Sequence, residues 1–438
     1  MLYHASSFIE HGFTTYIVAY RGASLPKALA ESSLVHMVYL PTPFAFVGAL
    51  PRPLFLLLAP VKVLHAAFAL FWALTFRIKR APSFLLIQNP PAVPTLPIVK
   101  CVGSVRKSKV VIDWHNTGYS VLSLRLGPQS PVVKVAQWIE TFFGRKAFAH
   151  LCVTEAMKKK LQTEAGIKIP RGMLEPCWVS TYLAEFALRK LFSRLDVLTS
   201  PSLTSFFAPK SFSSTTTPFT MLNSSSSATL SSNRPALLVS ATSWTADEDF
   251  SILLSALSLY DYSAKKAAQK LDGTTSALPK ILVVITGKGA GKAAFEAQVR
   301  EKEKEGGWEH VRVRTAWLAI EDYPKLLGSA DLGISLHAST SGADLPMKVV
   351  DMFGCGLPVC ALDFACIGEL VKDGVNGKVF STPEQLADQL ENLLSPSISS
   401  PSRLEQMRAN IKAAREVHRT FLSWEENWDE VVSPILAP

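Results

Sequence analysis

Short apolar runs alternate along the chain with longer stretches of helical spacing. Phe13–Tyr20 reads as a strand, fed by the end of a helix over residues 4–12 that Gly12 closes. A helix feeding a strand is half of a βαβ unit, so the chain as given begins inside an element. Phe84–Gln88, Lys109–Asp113 and Ala149–Thr154 are runs of the kind that buried parallel strands carry, with a helical pattern over Pro131–Phe148 between the last two. The alternation resumes with strand Ala236–Ser240, helix Asp249–Tyr260 and strand Lys280–Thr286. Further strands follow at Val311–Thr315, Leu332–Leu336 and Leu357–Cys360, then helical spacing over residues 403–432. Such alternation predicts an α/β protein of two doubly wound domains. The expected divisions are 1–198, a linker or insertion at 199–235, 236–400 and a helical tail at 401–438.

The most apolar stretch, Leu54–Phe76, has the length to cross a bilayer. Pro60 interrupts it, and Lys62 at mid-depth would cost roughly 2.5–3.5 kcal/mol in a spanning helix. Arg52 precedes it, and Arg77, Lys79 and Arg80 follow. The pattern predicts a helix lying in, or dipping into, one leaflet with its basic flank on anionic headgroups; the competing readings are an unusually apolar core helix and a true transmembrane span.

Composition narrows the class. Among 438 residues 48% are hydrophobic and 18% charged, which excludes a disordered chain. Only Thr199–Asn233, rich in Ser and Thr with SSTTT and SSSS runs, lacks the residues to build a core and is expected to be disordered. It carries the sequon Asn223-Ser-Ser225, expected to be unused because no secretory signal precedes it. Net charge is +9, which favours anionic partners such as phosphates, nucleotides or acidic lipid. Basic residues are scattered and lack an aromatic stacking platform, so nucleic acid is not an expected partner. The six cysteines show neither CxxC nor ladder spacing and read as free thiols of a reducing compartment.

Three constellations carry chemistry. Thr286-Gly-Lys-Gly-Ala-Gly-Lys292 follows a strand and opens a helix, where glycines let backbone N–H groups approach phosphate; it lacks the spacing of a Walker loop. His337-Ala-Ser-Thr-Ser-Gly-Ala-Asp344 likewise follows a strand and leads into a helix over Leu345–Phe353 that carries Lys348 and Asp351. Hydroxyls, free N–H groups and a lysine suit a diphosphate, and a carboxylate suits ribose; a capped helix with a Lys348–Asp351 ion pair fits the same residues. Asp113-Trp-His-Asn-Thr-Gly-Tyr119 stands at the C-terminal end of a strand, where open α/β sheets place ligands. It offers Asp113 and His115 as bases and Asn116 as an amide.

IDWHNTGYS (112–120) and DLPMKVVDMFGCGLPVCA (344–361) resemble signatures of the chitobiosyldiphosphodolichol β-mannosyltransferase family. LLIQNPPAVPTLP (85–97), FFGRKAFAHLCVTEAMK (142–158), SATSWTADEDF (240–250) and ITGKGAGK (285–292) are similar to it too, in the same order. The resemblance implies a GT-B glycosyltransferase of two Rossmann-like domains with the active site in the cleft between them, at the cytosolic face of the endoplasmic reticulum. It implies inverting transfer of mannose from GDP-mannose to dolichol-diphosphate-GlcNAc2, forming a β1,4 bond. A base on the acceptor hydroxyl and stabilisation of the leaving GDP are then required.

Carried over by motif, His115 or Asp113 is the catalytic base. His115 ranks first because imidazole transfers protons near neutrality. Gly287, Lys288, Gly289, Ser339, Thr340, Ser341 and Lys348 lie near the donor phosphates, and Asp351 holds ribose. Asp351 matches the second position of an E-x7-E pattern; the first is not matched, with Ser341 or Asp344 falling near it. Asn116, Arg145 and Lys146 are expected on the acceptor side. No cofactor is required in this reading, and a divalent cation has no identified site. The membrane surface and other dolichol-pathway mannosyltransferases are expected partners.

Family members begin with a membrane anchor and a strand ending near an R-x-x-H-A pattern. Met1-Leu-Tyr-His-Ala5 matches only the end of that pattern, so the chain reads as N-terminally truncated. Arg171–Asp196 also departs from the family. A transferase for another lipid-diphosphate acceptor, or an inactive scaffold of a mannosyltransferase complex, fits these departures.

Overall fold

A computed structural model describes residues 1–22, 25–42, 52–167, 203, 206, 217–222, 228–231, 234–245, 248–269, 278–304, 307–319, 321–339, 341–395, 401–417 and 422–436. They group into two units. The first opens with α1 (Leu2–Glu10), β1 (Thr15–Tyr20), α2 (Lys27–Glu31), β2 (Val35–Leu40) and α3 (Arg52–Trp72), which widens into a π-helical turn at Ala73–Arg77. It continues with β3 (Phe84–Asn89), α4 (Thr95–Arg106), β4 (Lys109–Trp114), α5 (Gly118–Leu126), α6 (Pro131–Gly144), β5 (Ala149–Cys152) and α7 (Glu155–Ala165). β1 and β2 pair in parallel, as do β3, β4 and β5 in that order. Four of the six β4 residues are apolar and buried, as a strand covered on both faces requires, and Ile112, Trp114 and Met157 lie in the core beneath.

The second unit contains the antiparallel pair β6 (Thr220–Leu222) and β7 (Ala228–Leu230), then β8 (Ala236–Ala241), α8 (Phe250–Gln269), β9 (Ile281–Thr286) and α9 (Lys292–Lys302). β10 (Val311–Ala316), α10 (Tyr323–Ser329), β11 (Leu332–Ser335), α11 (Met347–Gly354), β12 (Val359–Leu362), β13 (Gly377–Phe380), α12 (Pro383–Leu394) and α13 (Arg403–Glu416) complete it. Its parallel six-stranded sheet has the order β10-β9-β8-β11-β12-β13. The order reverses between β8 and β11, so the loops leaving their C-terminal ends diverge into a crevice where such sheets hold ligands. Helices α14 (Trp424–Val431) and α15 (Ser433–Leu436) group with the first unit, so the expected 401–438 tail divides between the two.

Several expectations shift. Order appears inside the Ser/Thr-rich interval, because Phe219 and Thr220 are fully buried and anchor an antiparallel pair there. The α6 helix stops at Gly144, since Phe148 already donates to the Val110 carbonyl to start β5. β2 and β13 were not anticipated: neither carries a long enough apolar run. The N-terminal residues of α3 at 52–57, the 171–196 segment, Asn223 and Cys177 fall where side chains or whole residues lie outside the description. Cys101, Cys152, Cys355, Cys360 and Cys366 are free thiols. Among the described residues no helix is long and apolar enough to cross a membrane.

Candidate functional site

In the first unit the site grows from the end of β4. Asp113, 1% exposed, stands one residue before Trp114, whose indole N–H donates to His150 Nδ1 at 3.1 Å and locks the strand end into the core. His115 N and Asn116 N both donate to the Asn89 carbonyl at the end of β3, so the chain leaving the sheet is clamped by its neighbour. Glu140 of α6 finishes the frame. Its buried carboxylate accepts from Gly118 N and Tyr119 N, capping α5, and from Asn89 Nδ2 at 2.7 Å. Burial pushes the Glu140 pKa up, against the pull of these hydrogen bonds.

Asp113 Oδ2 faces two imidazoles, His115 Nε2 at 2.8 Å and His4 Nε2 at 3.2 Å. Burial works against its ionised form, yet the hydrogen bonds and electrostatic attraction of His115 and His4 together outweigh it and hold the carboxyl well below its usual range. Trp428 of α14 donates its indole N–H to His4 Nδ1 at 3.2 Å. Because indole only donates, the network assigns the proton of His4 to Nε2, which points it at the carboxylate. A chain Trp428–His4–Asp113–His115 results, and His115 keeps Nδ1 for another partner. Asp113 Oδ1 is buried without a hydrogen-bond partner among the described residues. His4 and Trp428 were not singled out as site residues; their distance in sequence hid them.

Asn116 serves the turn, its Oδ1 accepting from Thr117 N at 2.7 Å and from Ser120 Oγ. Arg145 and Lys146 sit exposed beyond α6. Arg145 Nε donates to the Ala165 carbonyl, and Lys146 lies over the Phe142 ring. No contact to the Asp113 cluster is formed by either among the described interactions.

In the second unit the loops after β8, β9 and β11 meet at the switch point. Glu248 forms an isolated antiparallel bridge with His337, joining the β8 and β11 loops. Lys348 from α11 makes an ion pair with Glu248, whose carboxylate also accepts from Thr242 Oγ1 and from Ser243 N. This replaces the Lys348–Asp351 pair that helix spacing suggested. Asp351 instead faces Tyr323: burial raises its pKa to about 7, with the Tyr323 hydrogen bond pulling the other way. Helix α11 starts at Met347 after Pro346 without a side-chain cap, so the serines upstream do not cap it. Ser341 Oγ donates to Asp344 Oδ1 at 3.0 Å within a short segment that groups with the first unit. Ser339 is half-buried in the β11 loop, and Thr340 lies outside the described residues.

The glycine loop after β9 is built by close backbone approach. Gly287 has φ +140°, and a Cβ there would lie 1.8 Å from the Thr242 carbonyl oxygen; at Gly289 it would lie 2.3 Å from that of Ser243. Gly287→Ala is therefore expected to lower stability by about 1–3 kcal/mol. Gly291→Ala, where the nearest atom would be 3.5 Å away, stays near wild type; urea midpoints check both. Lys288 Nζ lies 4.0 Å from the centre of the Trp317 ring, a partner that sequence spacing did not reveal.

Asp351 has a pH consequence. Its folded pKa stands above the ordinary 3.8, so its contribution to stability is complete below that value and is lost as pH rises through about 7. Thermal melts should show wild type losing stability between pH 5 and pH 8 relative to Asp351→Asn; parallel curves would refute the assignment.

The doubly wound parallel sheet of the second unit and the α/β fold of the first are those of a GT-B glycosyltransferase. The group 1 glycosyl transferase family model matches residues 260–396. Anabaena HepE in complex with UDP and glucose superposes with a TM-score of 0.56 at 15% identity, covering 100% of this chain and 96% of that one. The chain is 39% identical over 440 residues to the chitobiosyldiphosphodolichol beta-mannosyltransferase of Homo sapiens, covering 100% of this chain and 89% of the human protein. It is 38% identical over 458 residues to the Arabidopsis thaliana UDP-glycosyltransferase TURAN, covering 100% and 94%. The chain belongs to the chitobiosyldiphosphodolichol beta-mannosyltransferase family.

Proposed function

We propose that this chain transfers mannose from GDP-mannose to dolichol-diphosphate-GlcNAc2 with inversion, forming a β1,4 bond at the cytosolic face of the endoplasmic reticulum. The observation that carries the reading is His115, held through Nε2 by a buried, ionised Asp113 with Nδ1 left over. In this reading Nδ1 takes the proton of the acceptor hydroxyl as its oxygen attacks the anomeric carbon of mannose. The bond from that carbon to the diphosphate breaks, and GDP leaves with the electron pair. The second unit receives the donor: Lys348 and the backbone at Gly287–Gly289 meet the developing negative charge, and Asp351 meets ribose hydroxyls. Ser339, Thr340 and Ser341 complete the donor loop. Asn116, Arg145 and Lys146 belong to the acceptor side.

The test is transfer by the purified chain from GDP-mannose to a synthetic GlcNAc2-diphosphate lipid. Product sensitive to β-mannosidase and resistant to α-mannosidase is expected. Transfer only from UDP-sugars would overturn the donor assignment, and no transfer from any sugar nucleotide would overturn the function.

A further inference from the structure

Positive charge is unevenly placed along this chain. Residues 32–154 carry thirteen Lys and Arg against two acids, a net +11 that exceeds the +9 of the whole protein. Those two acids are Asp113 and Glu140, 1% and 2% exposed and both consumed inside the first unit. The described surface of this segment therefore presents cations with no exposed carboxylate of its own.

The same segment exposes apolar side chains in an ordered way. On α3 and its π-helical turn, Val61, Leu64, Phe68, Trp72 and Phe76 are exposed at spacings of three and four, while Ala69, Ala73 and Leu74 are buried. On α6, Val132, Val135, Trp138 and Phe142 repeat the pattern, with Val133 buried on the opposite side. Helix α4 lies between them, in contact with both, and adds exposed Val105; α5 packs against α6 and adds Leu124. Trp138 and Phe142 stack at 5.3 Å between centroids and line a groove of about 270 Å³ that Lys134 and Arg145 also border.

We propose that the outer face of the α3–α4–α6 layer, with α5, docks on an anionic bilayer. Aromatic and aliphatic side chains would enter the headgroup boundary, and exposed cations of this face such as Arg125, Lys134 and Arg145 would meet lipid phosphates. The layer brings α6 into a membrane contact that the sequence placed only at residues 54–76. A protein partner complementary to this face would need to be acidic around an apolar centre, whereas a bilayer supplies both across the width of three helices. The proposal extends the lipid-linked acceptor reading, but its charge and exposure observations stand apart from it.

Flotation of the purified chain with phosphatidylcholine vesicles, with and without phosphatidylserine, tests it. Wild type is expected to bind the anionic vesicles and to release them at high salt. Trp138→Ser/Phe142→Ser and Arg125→Glu/Lys134→Glu should each lower the partition coefficient about tenfold or more. Lys412→Glu on the second unit should not change it. Transfer to a short-chain, water-soluble acceptor is measured alongside and should survive in all these variants. If wild type fails to bind anionic vesicles, or binds as well after both double substitutions, the docking face is overturned whatever the transfer assay gives. Loss of transfer to soluble acceptor in wild type, with vesicle binding intact, would instead overturn the function and leave the face standing.

Discussion

His115→Ala is expected to lower kcat by about 10²–10⁴-fold, the range for removing a general base, with the melting temperature close to wild type because the ring is partly exposed. Asp113→Asn should fall nearly as far: it loses the charge that orients His115 and stabilises its protonated form. The chain behind them makes a sharper test. His4→Leu deletes one hydrogen bond to a buried carboxylate and should lower kcat about tenfold, the scale of ~1.5 kcal/mol. His4→Gln restores a donor to Asp113 and should regain most of the loss, with the KM for GDP-mannose unchanged in both. Trp428→Phe retains the packing against Phe8 but removes the donor that sets the His4 tautomer. It should resemble His4→Leu in kcat. Less than a tenfold change in His115→Ala would move the base elsewhere; no rescue by His4→Gln would reduce His4 to a packing residue.

Lys348→Ala should lower kcat/KM for GDP-mannose by about 10- to 150-fold, the 1.5–3 kcal/mol of a charge-assisted hydrogen bond. The same substitution strands the buried Glu248 carboxylate, with Thr242 and Ser243 as its remaining donors, so it should also lower stability. Adding Glu248→Gln separates the two effects. The double variant should recover its melting temperature, because no buried charge is left, while kcat/KM stays low. Recovery of kcat/KM together with stability would show that Lys348 serves only the β8–α11 contact.

What local sequence could reveal, it revealed through burial. Continuous apolar runs at 84–88, 109–113, 236–240 and 280–286 became strands of parallel sheets, since a strand covered on both faces must be apolar along its length. The glycines at 287 and 289 were legible as a loop of close backbone approach, but the sequence pointed that approach at phosphate. The atoms that leave no room for a Cβ are instead the Thr242 and Ser243 carbonyl oxygens. Short strands such as Gly377–Phe380 escaped, being held by position beside β12 more than by their own composition.

Partners belonged to the tertiary structure. Lys348 stands three residues from Asp351 yet pairs with Glu248, one hundred positions away, because the sheet order sets β8 beside β11. His4 reaches Asp113 and Trp428 reaches His4 only because α14, at the far end of the chain, packs on α1. The uneven charge was written in the sequence, but its meaning as a face appeared once α3, α4 and α6 stood side by side. Residue types and periodicity determine which segments must hide from water. Which buried carboxylate meets which cation depends on strand order and helix packing, and those are collective properties of the folded chain.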